Sequence, residues 1–156
     1  MNELDERMSA GEVAGRSEIE DVRLVKSQVD APEFADPGKP LQFQFTSSPS
    51  VHYEDDAEAF VISVGYELVV TQDGDDEEAE SGGVTVATLN FTYAALYSKL
   101  IGDRFTDEAL EAFAKTTGSF AVYPYAREYV QDVTGRLGLP PLTLGLFKID
   151  PEPSGE

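Results

Sequence analysis

Period-two alternation of apolar and polar residues runs through the middle of the chain. In "LQFQFT", Leu41, Phe43 and Phe45 share one face, and Gln42, Gln44 and Thr46 share the other. That pattern predicts a half-buried β-strand. In "AFVISVGYELVV", Phe60, Ile62, Val64, Tyr66, Leu68 and Val70 fall on one side; Val61, Ser63, Gly65, Glu67 and Val69 fall on the other. The second side is not fully polar, so partial cover is expected there too. Further on, Leu89, Phe91, Tyr93 and Ala95 alternate with Thr88, Asn90, Thr92 and Ala94. Val84 and Val86 are out of phase with Leu89, which predicts a bulge near Ala87. An earlier stretch, "IEDVRLVKSQV", reads as a first strand. Its phase is broken, with Val22 and Leu24 on one face and Val25 and Val29 on the other.

The period then changes from two to that of a helix. "FTDEALEAFAKTTG" opens with Thr106 as N-cap and with Asp107 and Glu108 in the first turn, where they favour the helix dipole. Leu110, Phe113 and Ala114 make its apolar stripe, and Gly118 is read as its end. A longer helix is expected from about Pro124, with Tyr125, Tyr129, Val133 and Leu137 as its stripe. Gly138 stops it, Pro140-Pro141 forbids continuation, and an apolar extended tail follows. The fold class expected is α+β: a four-stranded antiparallel sheet with a short and a long helix packed on one side. Between strands, "DAPEFADPGKP" is a proline-rich loop, and "TQDGDDEEAESGG" is an acidic hairpin loop that fails the calcium-loop template. Residues 1–18 are read as a flexible acidic leader, 19–150 as one domain and 151–156 as a disordered tail.

Composition narrows the chemistry. No cysteine is present among the 156 residues, which removes disulfides, thiol nucleophiles and zinc–thiolate sites. The single histidine, His52, lies in "TSSPSVHYEDD" with no nucleophile motif beside it and is read as a surface loop residue. A net charge of −19 repels phosphate backbones, so nucleic acid is a poor partner. The leader has no apolar block and no apolar run is long enough to span a bilayer; the expectation is a cytoplasmic protein without membrane insertion. No cofactor or metal set is implied. Glu67 and Glu128 could be imagined as an acid–base pair, but nothing in their spacing supports it.

The last third carries a resemblance. Tyr123-Pro124-Tyr125-Ala126-Arg127-Glu128 resembles the "FPYARE" motif of the SecB family of export chaperones, and Arg136-Leu137-Gly138-Leu139-Pro140-Pro141-Leu142 resembles its "RGGFPPL" segment. Leu144 and Asp150 continue in the manner of the family's "L-x-P-x-x-F-D". Ala94-Ala95-Leu96-Tyr97 is similar to its "GGIF", and "VDAPEF" to its "EAPNAP". The likeness spans roughly Asp21 to Asp150 and is sharp only near the end. Leu137 stands where the family has a first glycine, and the sequence stops at "PEPSGE", short of the family's usual C-terminal helix and motor-binding tail.

The resemblance implies an ATP-independent holdase that assembles as a homotetramer and keeps unfolded or precursor polypeptides in apolar grooves. It implies delivery to the Sec translocase motor or, in a toxin–antitoxin branch, protection of an aggregation-prone antitoxin. Groove candidates are Leu41, Phe43, Phe45, Leu139, Leu142 and Leu144; oligomer-interface candidates are Leu89, Phe91, Tyr93, Tyr125 and Tyr129. For each of these, plain packing in the core is the competing reading. A non-chaperone adaptor domain would have the same composition; holding of unrelated unfolded proteins is what would separate the two.

Overall fold

The computed structural model describes residues 2–54, 57–74, 83–100 and 104–147. Four strands, β1 (Ser17–Asp30), β2 (Gln42–Tyr53), β3 (Ala59–Gln72) and β4 (Val84–Lys99), form one sheet. Its order is β1-β4-β3-β2, with every neighbouring pair antiparallel. Helix α1 (Glu3–Gly15) precedes the sheet. Helix α2 (Asp107–Phe113), a π-turn (Ala114–Gly118) and helix α3 (Ser119–Arg136) follow it. The fold class is therefore the one expected. No helix among the described residues is long and apolar enough to cross a membrane.

The core follows the alternation. Every apolar residue of β3 from Phe60 to Val70 on the predicted inner face is buried, together with Leu89, Phe91, Ala95 and Tyr97 of β4. The bulge appears where the phase changed: Val70 pairs with Ala87, but Thr71 pairs with Thr85, so Val86 is the extra residue and both Val86 and Ala87 are buried. Irregularities in β1 explain its broken pattern. The register skips Glu20 and Val25, and these two steps put Ile19, Val22, Leu24, Ser27 and Val29 opposite the β4 series from Tyr97 to Leu89.

Three expectations need correction. The leader read as flexible is largely helix α1, capped by the Asn2 side chain, which accepts from the Asp5 amide at 2.8 Å. Its Ala10 and Val13 are buried, and α1 lies against α2. Gly118 does not end a helix: its backbone is helical, and the chain runs through it into α3. The site is tight: a Cβ would sit 3.2 Å from Ile62 Cγ2 and 3.1 Å from the Phe113 carbonyl oxygen, so a larger residue fits only if these neighbours give way slightly. His52 lies on β2, exposed, and not in a loop. The acidic hairpin loop falls mostly, and residues 151–156 wholly, outside the described residues.

Helix α3 buries Val122, Ala126, Tyr129, Val130 and Thr134. Tyr125, expected in the stripe, is 43% exposed, while its small neighbour Ala126 is fully buried. The end of α3 is a Schellman arrangement. Gly138 adopts φ +75°, its amide donates to the Gly135 carbonyl at 3.1 Å, and the Leu139 amide donates to the Thr134 carbonyl at 3.1 Å.

Candidate functional site

The loop before β2 and the segment after α3 face each other across the end of the sheet. Between them lies an apolar concavity of about 660 Å³. Leu41, Phe43, Val70, Leu139, Pro141 and Leu142 line it. Phe43 keeps 54% of its surface exposed although it sits on the helix side of β2. Four of the six groove candidates, Leu41, Phe43, Leu139 and Leu142, are thus brought together by elements far apart in sequence.

Two buried polar side chains fix the walls. Gln72 ends β3 in phase with Val70. Its Oε1 accepts from the Asp36 amide at 2.8 Å, and its Nε2 donates to the carbonyls of Asp36 at 2.8 Å and Lys39 at 3.1 Å. All of its polar atoms are thereby used on the loop that forms one wall. Thr134 does the same for the other wall: its hydroxyl donates to the Val130 carbonyl at 2.7 Å and accepts from the Leu142 amide at 2.9 Å. At the rim, Lys39 Nζ donates to the Asp73 carbonyl at 3.2 Å.

The other two groove candidates lie elsewhere. Phe45 stacks on Tyr66 with centroids 5.4 Å apart, Tyr66 on Phe91 at 5.1 Å and Phe91 on Tyr129 at 4.1 Å. This row of rings backs the sheet beside the groove. Leu144 is buried and anchors the tail instead of walling the cavity. Burial holds the Tyr66 phenol well above its ordinary range, with smaller contributions from Tyr123 and Tyr93.

Among the interface candidates, Leu89 and Phe91 are fully buried beneath α3, and Tyr129 is nearly so, with its hydroxyl 2.5 Å from Ser27 Oγ. These three belong to the protomer's core and have almost no surface to offer a second subunit. Tyr93 and Tyr125 remain accessible, their rings 5.9 Å apart. In the motif around α3, the Tyr123 hydroxyl donates to the Gly145 carbonyl at 2.5 Å and its ring leans on Phe147 at 5.3 Å, tying the tail to the helix. Ala126 is buried; Pro124, Glu128, Pro140 and Pro141 are exposed and Arg127 is half-buried. Gln72 and Thr134 were not singled out by sequence. The signal for Gln72 was available: a polar residue in phase with six buried ones must find partners on folding.

No family model matches the sequence. Two curated relatives from Mycobacterium tuberculosis, the SecB-like chaperones Rv1957 (strain H37Rv) and MT2006 (strain CDC 1551), are each 36% identical over 155 residues, covering 94% of this chain and 86% of the relative. A solved structure of Rv1957 in complex with a ChAD peptide from the HigA1 antitoxin superposes with a TM-score of 0.78 at 36% identity, covering 92% of this chain and all of that one. With that identity over nearly its full length, and with the sheet, helices and groove in place, this chain belongs to the SecB-like chaperones.

Proposed function

We propose that this protein is an ATP-independent holdase that keeps an extended apolar segment of an unfolded partner in the groove between β2 and the tail of α3. The observation that carries the reading is the groove itself: an open apolar cavity whose two walls are each pinned by a buried side chain. Such a site needs no reordering before it accepts a peptide, which lowers the cost of binding. No covalent step is part of the proposal. The preferred partner is an aggregation-prone antitoxin, by kinship with a relative whose structure holds an antitoxin peptide.

A broader form, holding precursor polypeptides for export through the Sec translocase, has one observation in its favour. The groove's side-chain lining is mostly apolar, so it selects bulk more than sequence. Assembly as a homotetramer belongs to the same proposal, supported by the exposure of Ile19, Leu24 and Val29 on the helix-facing side of edge strand β1.

Two measurements test this. Titration of the HigA1 ChAD peptide, with and without Phe43→Asp, should show binding that the substitution weakens at least about tenfold. Dilution of an unrelated unfolded protein, without ATP, should show suppressed aggregation if holding is general. Peptide binding without suppression would assign a dedicated antitoxin chaperone; the absence of both binding and suppression would overturn the holdase reading.

A further inference from the structure

Helix α3 and the tail that follows it enclose a second cavity, of about 540 Å³, which shares no lining residue with the groove beside β2. Phe120, Tyr123 and Arg127 stand at helical spacing on one flank of α3, and Leu146 and Phe147 of the tail complete the walls. The tail closes on the helix at one end. There the Tyr123 hydroxyl donates to the Gly145 carbonyl at 2.5 Å, and the Phe147 ring lies 6.2 Å from Phe120 and 5.3 Å from Tyr123. Closure is incomplete, since Phe120 is 66% and Leu146 77% exposed.

Arg127 is unusual in this setting. Arg7, Arg16, Arg23 and Arg136 are exposed, and each holds a nearby carboxylate, on Glu3, Glu12, Asp21 and Asp132 respectively. Arg127 is half-buried, yet among the described residues it makes no hydrogen bond and no ion pair. This holds in a chain with 30 acidic side chains against 11 basic ones. Glu128 also borders the cavity, but adjacent residues on a helix diverge, and its charge acts on the Tyr93 phenol. The Arg127 charge acts on Tyr123: burial raises that phenol's pKa, and the guanidinium partly offsets the rise. A partly desolvated guanidinium beside aromatic rings thus lacks a counter-ion, in surroundings that strengthen any pairing it makes.

We propose that this cavity binds a small carboxylic acid with an aromatic or branched apolar body. The carboxylate takes two parallel N–H donors of Arg127, and the body lies against Phe120, Tyr123 and Phe147. The net charge of −19 selects a singly charged ligand. Each further negative charge adds long-range repulsion, and Arg127 is the one cation among the described residues lining the cavity. An uncharged analogue would shield the guanidinium from water and leave it unpaired, which costs affinity. The site does not depend on the holdase reading. It meets that reading at one point: the tail that walls the client groove through Leu139 and Leu142 also walls this cavity.

The test titrates naphthoate into the unaltered protein, followed by amide NMR shifts, with naphthamide as the neutral counterpart. Naphthoate should bind, with shifts centred on Phe120, Arg127 and Phe147, and naphthamide should bind at least about tenfold more weakly. Arg127→Gln, with an unchanged circular dichroism spectrum, should weaken naphthoate about tenfold and leave naphthamide within about twofold. Added salt should weaken the acid and not the amide. Shifts centred on Leu41, Phe43 and Leu142 would place the probe in the groove beside β2 and overturn the inference. So would equal affinity for acid and amide, an Arg127→Gln protein that binds naphthoate like the parent, or no binding by the folded chain.

Discussion

At the scale of single residues, the groove depends on polar atoms placed inside an apolar setting. Gln72 has three backbone partners on the loop wall and is 5% exposed. Gln72→Met keeps the length of the side chain and removes every bond. It should destabilise the fold by about 1–3 kcal/mol and speed hydrogen exchange at the Asp36 amide. Exchange at Leu89 and Phe91 should rise by no more than the global loss of stability allows, and peptide affinity should fall. Unchanged affinity alongside faster exchange would show that this wall does not matter to the client. The tyrosines give a second test. Burial raises the pKa of Tyr66, Tyr93, Tyr97 and Tyr123 in the folded chain. The unfolded chain therefore gives up these protons first, near pH 10. Their contribution is fully present below that pH and is lost as pH rises through the folded values. Denaturant melts should be flat in this respect to about pH 9 and fall above it. Tyrosinate absorbance should rise together with unfolding, and early ionisation in a still-folded chain would contradict the burial.

At the scale of elements, the strands were legible because one face of each central strand meets the helices. The in-phase series from Phe60 to Val70 is buried as its spacing said. Even the breaks in phase were informative, since those near Ala87 and Val25 mark real register steps. Helix α1 was not legible. Its buried contacts are two small residues, Ala10 and Val13, while its larger apolar residues, Leu4 and Met8, point to solvent. A helix docked through so narrow a contact leaves almost no periodic signal. The same reasoning predicts its energetics. Val13→Ala should cost roughly 2 kcal/mol, from lost transfer free energy and the cavity left against α2. Leu4→Ala, at an exposed site, should stay within about 0.5 kcal/mol. Equal effects in denaturant melts would mean that α1 does not dock as described. The groove was half legible for a related reason. Leu41, Phe43, Leu139 and Leu142 could be named from apolar patterning, but Phe45 and Leu144 share that pattern and are taken up by internal packing. Alternation fixes which face a side chain takes, not whether another element covers it.

At the scale of the whole molecule, the sheet has, among the described residues, two edges of different character. The β2 edge is interrupted by Pro49 and borders the groove. The β1 edge runs from Ser17 to Asp30 without proline, and its helix-facing side exposes Ile19, Leu24 and Val29. An edge without proline and with an uncovered apolar side suits the proposed self-association, and the high negative charge would oppose it by self-repulsion. Two consequences follow from that opposition. Self-association should strengthen as salt rises, because screening removes repulsion and leaves apolar burial largely intact. Replacing Ile19 and Leu24 together by lysine should return the chain to a single protomer in sedimentation, with little change in its own melting, since both residues are already about half exposed. The groove lies at the opposite edge of the sheet, so peptide affinity per chain should survive this change. If affinity disappears with the assembly, the client's path crosses from one protomer to the next, and the groove of a single chain is only part of the binding site.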